Sequence, residues 1–396
     1  MAKRRKTMPR VFDERDLFYL RQVIEDGLPC AGYGAGKMTQ RFEEAFAAKV
    51  GTRFAYACNS AMSGLHLAVA VAGAGAGDEV IVDPTVSFAG LAVMYNNATP
   101  VFADVLSDTY LMDPQSLQER ITERTKAVIV THLWGLCAEM EEIMAIAERH
   151  NLVVIEDCAH ALLAQYKGRY AGTLGHLGVF SFQCSKHLGL GDGGMITTDR
   201  EDFYQALREF EFTTMPDKLA WNYRISELVS AVGMAQLERI DEYVEETCAA
   251  AEKLNEAVKE CPWLVPQAVP PYCRHVYHLW VPLFRGEEQG LNYEEFQRAA
   301  KEIGLPCSFG YIEDEPAYLH PVFREPAAYG RGCPTACPHR PSVTPYERGL
   351  CPVAEEILPR MVLFYTTVAA KERVEATVEK LRRLRERWGK KFHFTP

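Results

Sequence analysis

No apolar run in this chain approaches the roughly 18 residues needed to cross a bilayer. Its first residues, charged at Lys3, Arg4, Arg5 and Lys6, lack the apolar stretch of a secretory signal. Both absences predict a cytoplasmic protein with no membrane partner. Positive charge is not in excess either. The formal net charge is −10, which argues against a nucleic-acid partner, because affinity for a phosphate backbone needs clustered Lys and Arg. The basic start is read as a solvated tail. Internal repeats and low-complexity tracts are absent. Cysteine is not scarce: there are 12. Without a secretion signal they are read as reduced thiols. Cys333, Cys337, His339 and Cys351 crowd a proline-rich stretch. Their spacing does not repeat the paired knuckle of a zinc site, so no metal is expected. Gly73, Gly75 and Gly77 follow a helix and precede a strand, the reverse of the order a dinucleotide fingerprint requires.

What is present is ample material for a large core: 396 residues, 48% hydrophobic and 24% charged, enough for two or three domains. Seven short apolar runs recur in the first half: Phe54–Cys58, Glu79–Asp83, Pro100–Asp104, Ala127–His132, Leu152–Asp157, Gly178–Phe182 and Met195–Thr198. Most lack clean alternation, the mark of strands covered on both faces, as in a mostly parallel sheet. Helical spacing between them, as over Ser63–Ala72 and Ala138–His150, gives an α/β layer pattern. After Arg224 the texture changes. One long helix is expected from about Ser226 to Glu260, bridging to a second domain. That domain has a strand at His278–Phe284, a helix at Tyr293–Ile303 and a closing helix at Lys371–Trp388. Glu325–Pro359 reads as a long excursion loop. The division expected is a large domain over 1–245, with an N-terminal arm, and a small domain over 246–396.

Chemistry concentrates at the ends of two of these strands. Val153–Asp157 closes on two acids, with His160 three residues on. Phe180–Ser181–Phe182 leads to Lys186, and a loop with little side-chain bulk, Gly189–Gly194, follows. Ligands of open α/β sheets sit beyond the carboxyl ends of strands. The glycines come after the lysine, so this is no Walker A loop. A surface lysine is the bland alternative. A Schiff-base lysine is the other, its amine held against an aldehyde with little water. Pyridoxal 5′-phosphate (PLP) chemistry needs more parts: an acid for the pyridinium nitrogen, amides or hydroxyls for the phosphate, and a face to cover the ring. Candidates stand in a workable order. Asn59 to Gly64, including Ala61, Met62 and Ser63, offers amides and hydroxyls to a phosphate. Phe88 could stack on the ring, Asp157 is the acid, and Ser181 adds a hydroxyl.

Together these residues resemble a known family, the DegT/StrS-type aminotransferases of amino-sugar and aminocyclitol biosynthesis. The likeness runs from about Gly27 to Lys380. It is carried by Gly77–Ile81, Pro100–Asp104, Thr125–Ile129, His132–Gly135, Glu156–His160, Ser181–Phe182–x–x–x–Lys186, Gly191–Gly194 and Asn222–Arg224, in that order and spacing. The resemblance implies fold type I of the PLP-dependent transferases (aspartate aminotransferase-like). That means a mostly parallel seven-stranded sheet in the large domain and a smaller α/β C-terminal domain. It implies PLP as cofactor, with Lys186 as Schiff-base lysine and proton shuttle, Asp157 on the ring nitrogen and His160 near the ring hydroxyl. It places Ser181 on the phosphate, Phe88 on the ring face, and Asn222 on the phosphate of the other subunit, hence a homodimer with shared sites. The family's first phosphate loop usually carries a threonine where this chain has Met62; Ser63 offers a hydroxyl one residue later.

The expected reaction moves an amino group from glutamate or glutamine to a keto-sugar or keto-cyclitol. The alternatives are a PLP-dependent dehydratase or epimerase on the same scaffold, against which retention of Lys186 argues, and a non-catalytic PLP-binding regulator. The segment Glu315–Phe323 and the run Cys351–Glu355 resemble the cyclitol branch. They tilt the acceptor toward a free keto-cyclitol, with a nucleotide keto-sugar next. Tyr33, Tyr311 and His320 could hydrogen-bond a polyol ring; each could equally be a packing residue.

Overall fold

The computed structural model describes residues 12–27, 36–211, 219–259, 261–310, 314–325, 345–366 and 371–392. Tyr33, Tyr311, Cys333, Cys337 and His339 lie outside the described residues.

All seven apolar runs become strands of one sheet. They are β1 (Phe54–Cys58), β2 (Glu79–Val82), β3 (Thr99–Phe102), β4 (Thr125–Thr131), β5 (Val153–Asp157), β8 (Leu177–Ser181) and β9 (Gly194–Thr198), with the short hairpin β6 (Gln165–Tyr166) and β7 (Arg169–Tyr170) between β5 and β8. The sheet order is β1-β9-β8-β5-β4-β2-β3. Neighbours from β8 to β3 run parallel, whereas β9 is antiparallel to both β8 and β1. Every residue of β2 is buried, as expected of a strand covered on both faces.

Helices α1 (Glu14–Glu25), α2 (Lys37–Val50), α3 (Ala61–Val71), α4 (Ser87–Tyr95), α5 (Pro114–Arg120), α6 (Met140–His150) and α7 (Glu201–Glu209) belong to this first half. The ends of α6 show why such segments are helical. Glu141 and Glu142 sit in the first turn, Arg149 and His150 in the last, and Asn151 closes the helix in the left-handed region.

Three expectations are corrected. The long helix after Ser226 is two, α8 (Glu227–Leu237) and α9 (Ile240–Val258). Arg239 leaves helical geometry at the break. It is held there by long-range ion pairs of its guanidinium with Asp13 at 2.9 Å and Asp16 at 2.8 Å. The strand expected over His278–Phe284 is likewise split, into Leu279–Trp280 and Leu283–Phe284, on either side of Pro282, which has no N–H for a ladder. Within the expected excursion loop, Pro352–Ile357 forms a helix. Proline suits its first turn, and its free N–H groups at Val353 and Ala354 are capped from across the fold by Asp104, at 2.9 and 3.0 Å.

Two cores result. The larger one surrounds the sheet and also takes in Ala317–Leu319, Phe323 and the 351–361 segment. The smaller one gathers Trp263, Trp280, Phe284, Phe296, Phe364 and Trp388. Helix α9 serves both, giving Ile240 and Val244 to the first and Ala251, Leu254 and Val258 to the second.

Candidate active site

Four parallel strands of the sheet end in polar side chains at one rim. Thr131, Asp157 and Ser181 are the last residues of β4, β5 and β8, and Asp83 follows β2. They converge because parallel strands share a carboxyl end, where crossover connections leave a crevice. A cavity of about 350 Å³ opens there. Of the residues expected from the sequence, Ala61, Met62, Phe88, Asp157, His160, Ser181 and Lys186 all line it. Val86, Thr131, Gln183 and Asp192 line it too and had not been singled out. Gln183 and Asp192 flank the lysine and its glycine loop, so position alone could have flagged them.

The two acids closing β5 part company, as alternation along a strand requires. Asp157 faces the cavity. Glu156 turns the other way and is saturated by the N–H groups of Gly172 (2.8 Å), Leu174 (2.7 Å) and Gly175 (2.6 Å) and by His132 Nε2 (2.8 Å). Glu156, His132 and Cys158 are close enough together to suggest a metal site. Those four bonds leave Glu156 no free ligand position, and His132 Nδ1 accepts from Ala138 N–H at 3.2 Å.

Asp157 is almost completely buried. Its Oδ1 accepts from Ala159 N–H at 3.0 Å. Burial raises its carboxyl to about 6, opposed by that N–H and by the charge of Lys186. Burial likewise lowers the Lys186 amine to about 8, with Asp157 pulling it back up. The amine therefore reaches its neutral, nucleophilic form near physiological pH. Behind Asp157 lies Asp83, also buried, which accepts from the N–H of Thr85 at 3.1 Å and from its hydroxyl.

His160 stacks with two rings, Trp134 at 5.4 Å and 9° and His278 at 4.4 Å and 22°. Burial, then the nearby Lys186 and His187, hold its imidazole well below the ordinary range, so the ring is neutral. Its Nδ1 accepts from Trp134 N–H at 3.4 Å. That bond assigns the proton to Nε2.

The start of α3 forms another wall. Ser60 caps the helix, its Oγ accepting from Ser63 N–H at 3.1 Å. The helix can lie this close to β9 because residue 194 is glycine: a Cβ there would meet Ala61 N and Ser60 C at 2.7 Å. Ser63 donates its hydroxyl to Asn59 at 2.6 Å and does not line the cavity. Phe88, in the first turn of α4, is 44% exposed. For a large aromatic this marks an open cavity face rather than a core position. Asn222 is exposed and does not line this chain's own cavity, and neither does His320, which is half-buried at the start of a short helix.

A parallel sheet with a lysine and a buried acid at its carboxyl rim is the arrangement of a fold type I transferase, and comparison with known proteins agrees. A model of the DegT/DnrJ/EryC1/StrS aminotransferase family matches residues 13–378. The chain belongs to this family. It is 34% identical over 328 residues to the spore coat polysaccharide biosynthesis protein SpsC of Bacillus subtilis, spanning 78% of this chain and 83% of that one. It is 42% identical over 218 residues to GDP-perosamine synthase of Caulobacter vibrioides (53% and 58%). It is 36% identical over 270 residues to a putative L-glutamine:3-amino-2,3-dideoxy-scyllo-inosose aminotransferase of Micromonospora echinospora (65% and 64%). The solved structure of 3-amino-5-hydroxybenzoic acid synthase superposes with a TM-score of 0.81 at 25% identity, covering 95% of this chain and 97% of the other. The protein is an aminotransferase, and its cofactor is PLP.

The cavity fits that group. Its volume suits a small cofactor plus substrate. A buried carboxylate with one N–H partner among the described residues, a neutral-tending amine and the N-terminus of an 11-residue helix are the donor set PLP needs. No described helix is long and apolar enough to cross a membrane.

Proposed function

We propose that this aminotransferase carries an amino group from glutamate or glutamine to a free keto-cyclitol or similar small polyhydroxy ketone, and that it does so as a homodimer with shared sites. Bound in the cavity, PLP supplies an aldehyde that accepts the amine and a ring that takes up electrons released at the substrate's α-carbon. Everything else is the protein's work. Lys186 would hold the cofactor and, as a free amine, move a proton at the substrate's α-carbon. Asp157 would keep the ring nitrogen protonated, His160 would offer its Nε2–H to the ring hydroxyl, and Phe88 would cover the ring face. The N–H groups of Ala61 and Met62, with Ser181, would receive the phosphate. The observation that carries this assignment is the meeting of Lys186, Asp157 and His160 in one cavity, from three separate stretches of chain.

At the exposed end of the cavity stand Gln183 and Asp192. An amide and a carboxylate suit the hydroxyls of a polyol ring, and the carboxylate repels a diphosphate. The Micromonospora relative, named for an amino-inosose reaction, fits this choice. The Caulobacter relative, named for a GDP-linked sugar, favours a nucleotide keto-sugar instead. Steady-state kinetics with glutamine or glutamate and both acceptor classes decide between them. The expected result is a higher kcat/KM for the free keto-cyclitol; a higher ratio for the nucleotide-linked ketone overturns the choice. Asn222, exposed and outside this chain's own cavity, is assigned to the cofactor phosphate of a partner subunit. Phe12, Leu17, Phe18 and Ile24 are exposed apolar side chains on or beside α1, material for an interface between copies. The working division is a PLP-binding domain to residue 245 and a small domain beyond it.

A further inference from the structure

Residues 276–278, on the chain entering the small core, are fastened to the floor of the active site at three points. Val276 N–H donates to Gly135 O at 3.0 Å, and His278 N–H to Trp134 O at 2.8 Å. The neighbour of the catalytic lysine, His187, donates its Nε2–H to Val276 O at 2.9 Å. From the other side Thr366, just past the last strand of the small sheet, bonds Tyr277 O at 2.7 Å. Two residues in this clasp, Trp134 (φ 61°) and Tyr277 (φ 49°), sit in the left-handed region although neither is glycine. Such backbone persists only where its surroundings over-determine it, and it clusters at functional sites. The imidazole of His278 stacks on His160, which also stacks with Trp134.

We propose that His278 is a positioning residue: stacked on His160, it fixes the tilt of that ring toward the cofactor, and through residues 276–278 it ties His160 and the backbone beside Lys186 to one support. The inference rests on the assignment of His160 to the cofactor. A hydrogen bond to the ring hydroxyl depends on the plane of the imidazole, and a ring already stacked on two neighbours loses little freedom when it forms. Among the described residues, the charged and titratable groups acting on His160 are Lys186 and His187, with His278 stacked on it; His275 bonds Gln267. Neither Lys186 nor His187 replaces the stack. The same support reaches both the cofactor hydroxyl and the lysine, so a shift of the small core is felt at both.

The test compares His160→Ala, His278→Gln, His278→Phe and the double variant His160→Ala/His278→Gln. Two quantities are read: the pH midpoint of the bound cofactor's visible absorbance, and the rate of cofactor loss into an excess of apo-protein scavenger. His278→Gln is expected to move the midpoint in the same direction as His160→Ala and to speed cofactor loss about two- to tenfold, the range set by one aromatic stack. His278→Phe keeps a flat ring and restores both readings toward wild type. The double variant equals His160→Ala alone, because His278 acts through His160. A change with His160→Ala but none with His278→Gln overturns the inference, as does additivity in the double variant or failure of phenylalanine to rescue. No change with His160→Ala itself overturns the cofactor assignment of His160, and the inference with it. Should His278→Gln fail to fold, Gly135→Ala serves. Its methyl would meet Val276 Cγ2 at 2.8 Å and His160 O and Tyr277 N at 3.0 Å, and unchanged readings there refute the clasp.

Discussion

At the residue scale, function and stability pull Asp157 in opposite directions. Burial raises its carboxyl to about 6 in the folded protein, against about 4 in an unfolded chain. The folded state therefore binds that proton more tightly. Its contribution to stability is present below about pH 4 and is lost as pH rises to about 6, so at neutral pH the bare carboxylate is a burden. In cofactor-free protein, Asp157→Asn is expected to raise stability by about 1–3 kcal/mol at pH 7 and by almost nothing at pH 4. Asparagine can still accept from Ala159. Urea unfolding at both pH values checks this, and cofactor titration of the same variant should show much weaker binding. The companion prediction concerns Lys186. Borohydride treatment of the cofactor-bound protein is expected to fix PLP to the peptide containing Lys186; mapping of the adduct to any other lysine refutes the assignment. These residues were legible in the sequence because each follows a recognisable strand. The role of His278 was not, since its stack on His160 joins residues more than a hundred positions apart and leaves no local spacing to read; Trp134 stood in the His132–Gly135 motif, but its stack on His160 is a tertiary contact that the motif does not show.

At the scale of elements, the buried runs announced all seven strands, because each is of strand length and apolar or β-branched with little alternation, as strands covered on both faces are. Helix ends were harder. Sequence signals for caps are local, yet two caps here come from far away. Asp104 caps the helix at Pro352. Glu227, buried in the first turn of α8, accepts from Met38 N–H and Thr39 N–H, each at 2.9 Å, at the start of α2. The helix α2 has Gly36 before it and no side-chain cap of its own. Glycine leaves room for this cap, since a Cβ there would meet the Glu227 carboxylate at 2.2–2.6 Å and push it aside. Glu227→Ala is therefore expected to cost about 2–3 kcal/mol, the loss of charged hydrogen bonds that leaves buried N–H groups unpaired. Denaturant midpoints measure it, and a loss under about 0.5 kcal/mol, the range of an ordinary surface change, would refute the capping role. The break at Arg239 was hidden for the same reason: its cause lies in Asp13 and Asp16, not in the helical sequence around it.

At the scale of the whole molecule, the proposal that a second copy completes the site has a genetic-style test. Lys186→Ala and Asn222→Asp subunits, each inactive as pure dimers, are mixed after partial unfolding and refolding. If Asn222 serves the partner's cofactor, each mixed dimer has one site with both defects and one with neither, and activity returns to about a quarter of wild type, half of the dimers being mixed with one good site each. Absence of any regain places both residues in one subunit's own site.

The position of β9 in the sheet has a consequence for how the protein is made. The first strand, β1, has a single partner strand in the sheet, and that partner is the last strand of the sheet; its other bridge, Cys58 to Arg224, comes from later still in the chain. During synthesis Phe54–Cys58 leaves the ribosome long before Gly194–Thr198 exists. At about 5–20 residues per second, β1 waits on the order of 10 s with both backbone edges open and apolar side chains uncovered. Helix α2 can shelter one face, through the bond of Glu43 to Ala57 N–H at 2.8 Å, but no part of the nascent chain can yet supply its hydrogen-bonding neighbour. Ribosome-bound chains halted before residue 190 should therefore be cut by protease near β1 and recruit chaperones there, and chains long enough for Gly194–Thr198 to have cleared the ribosome should be protected.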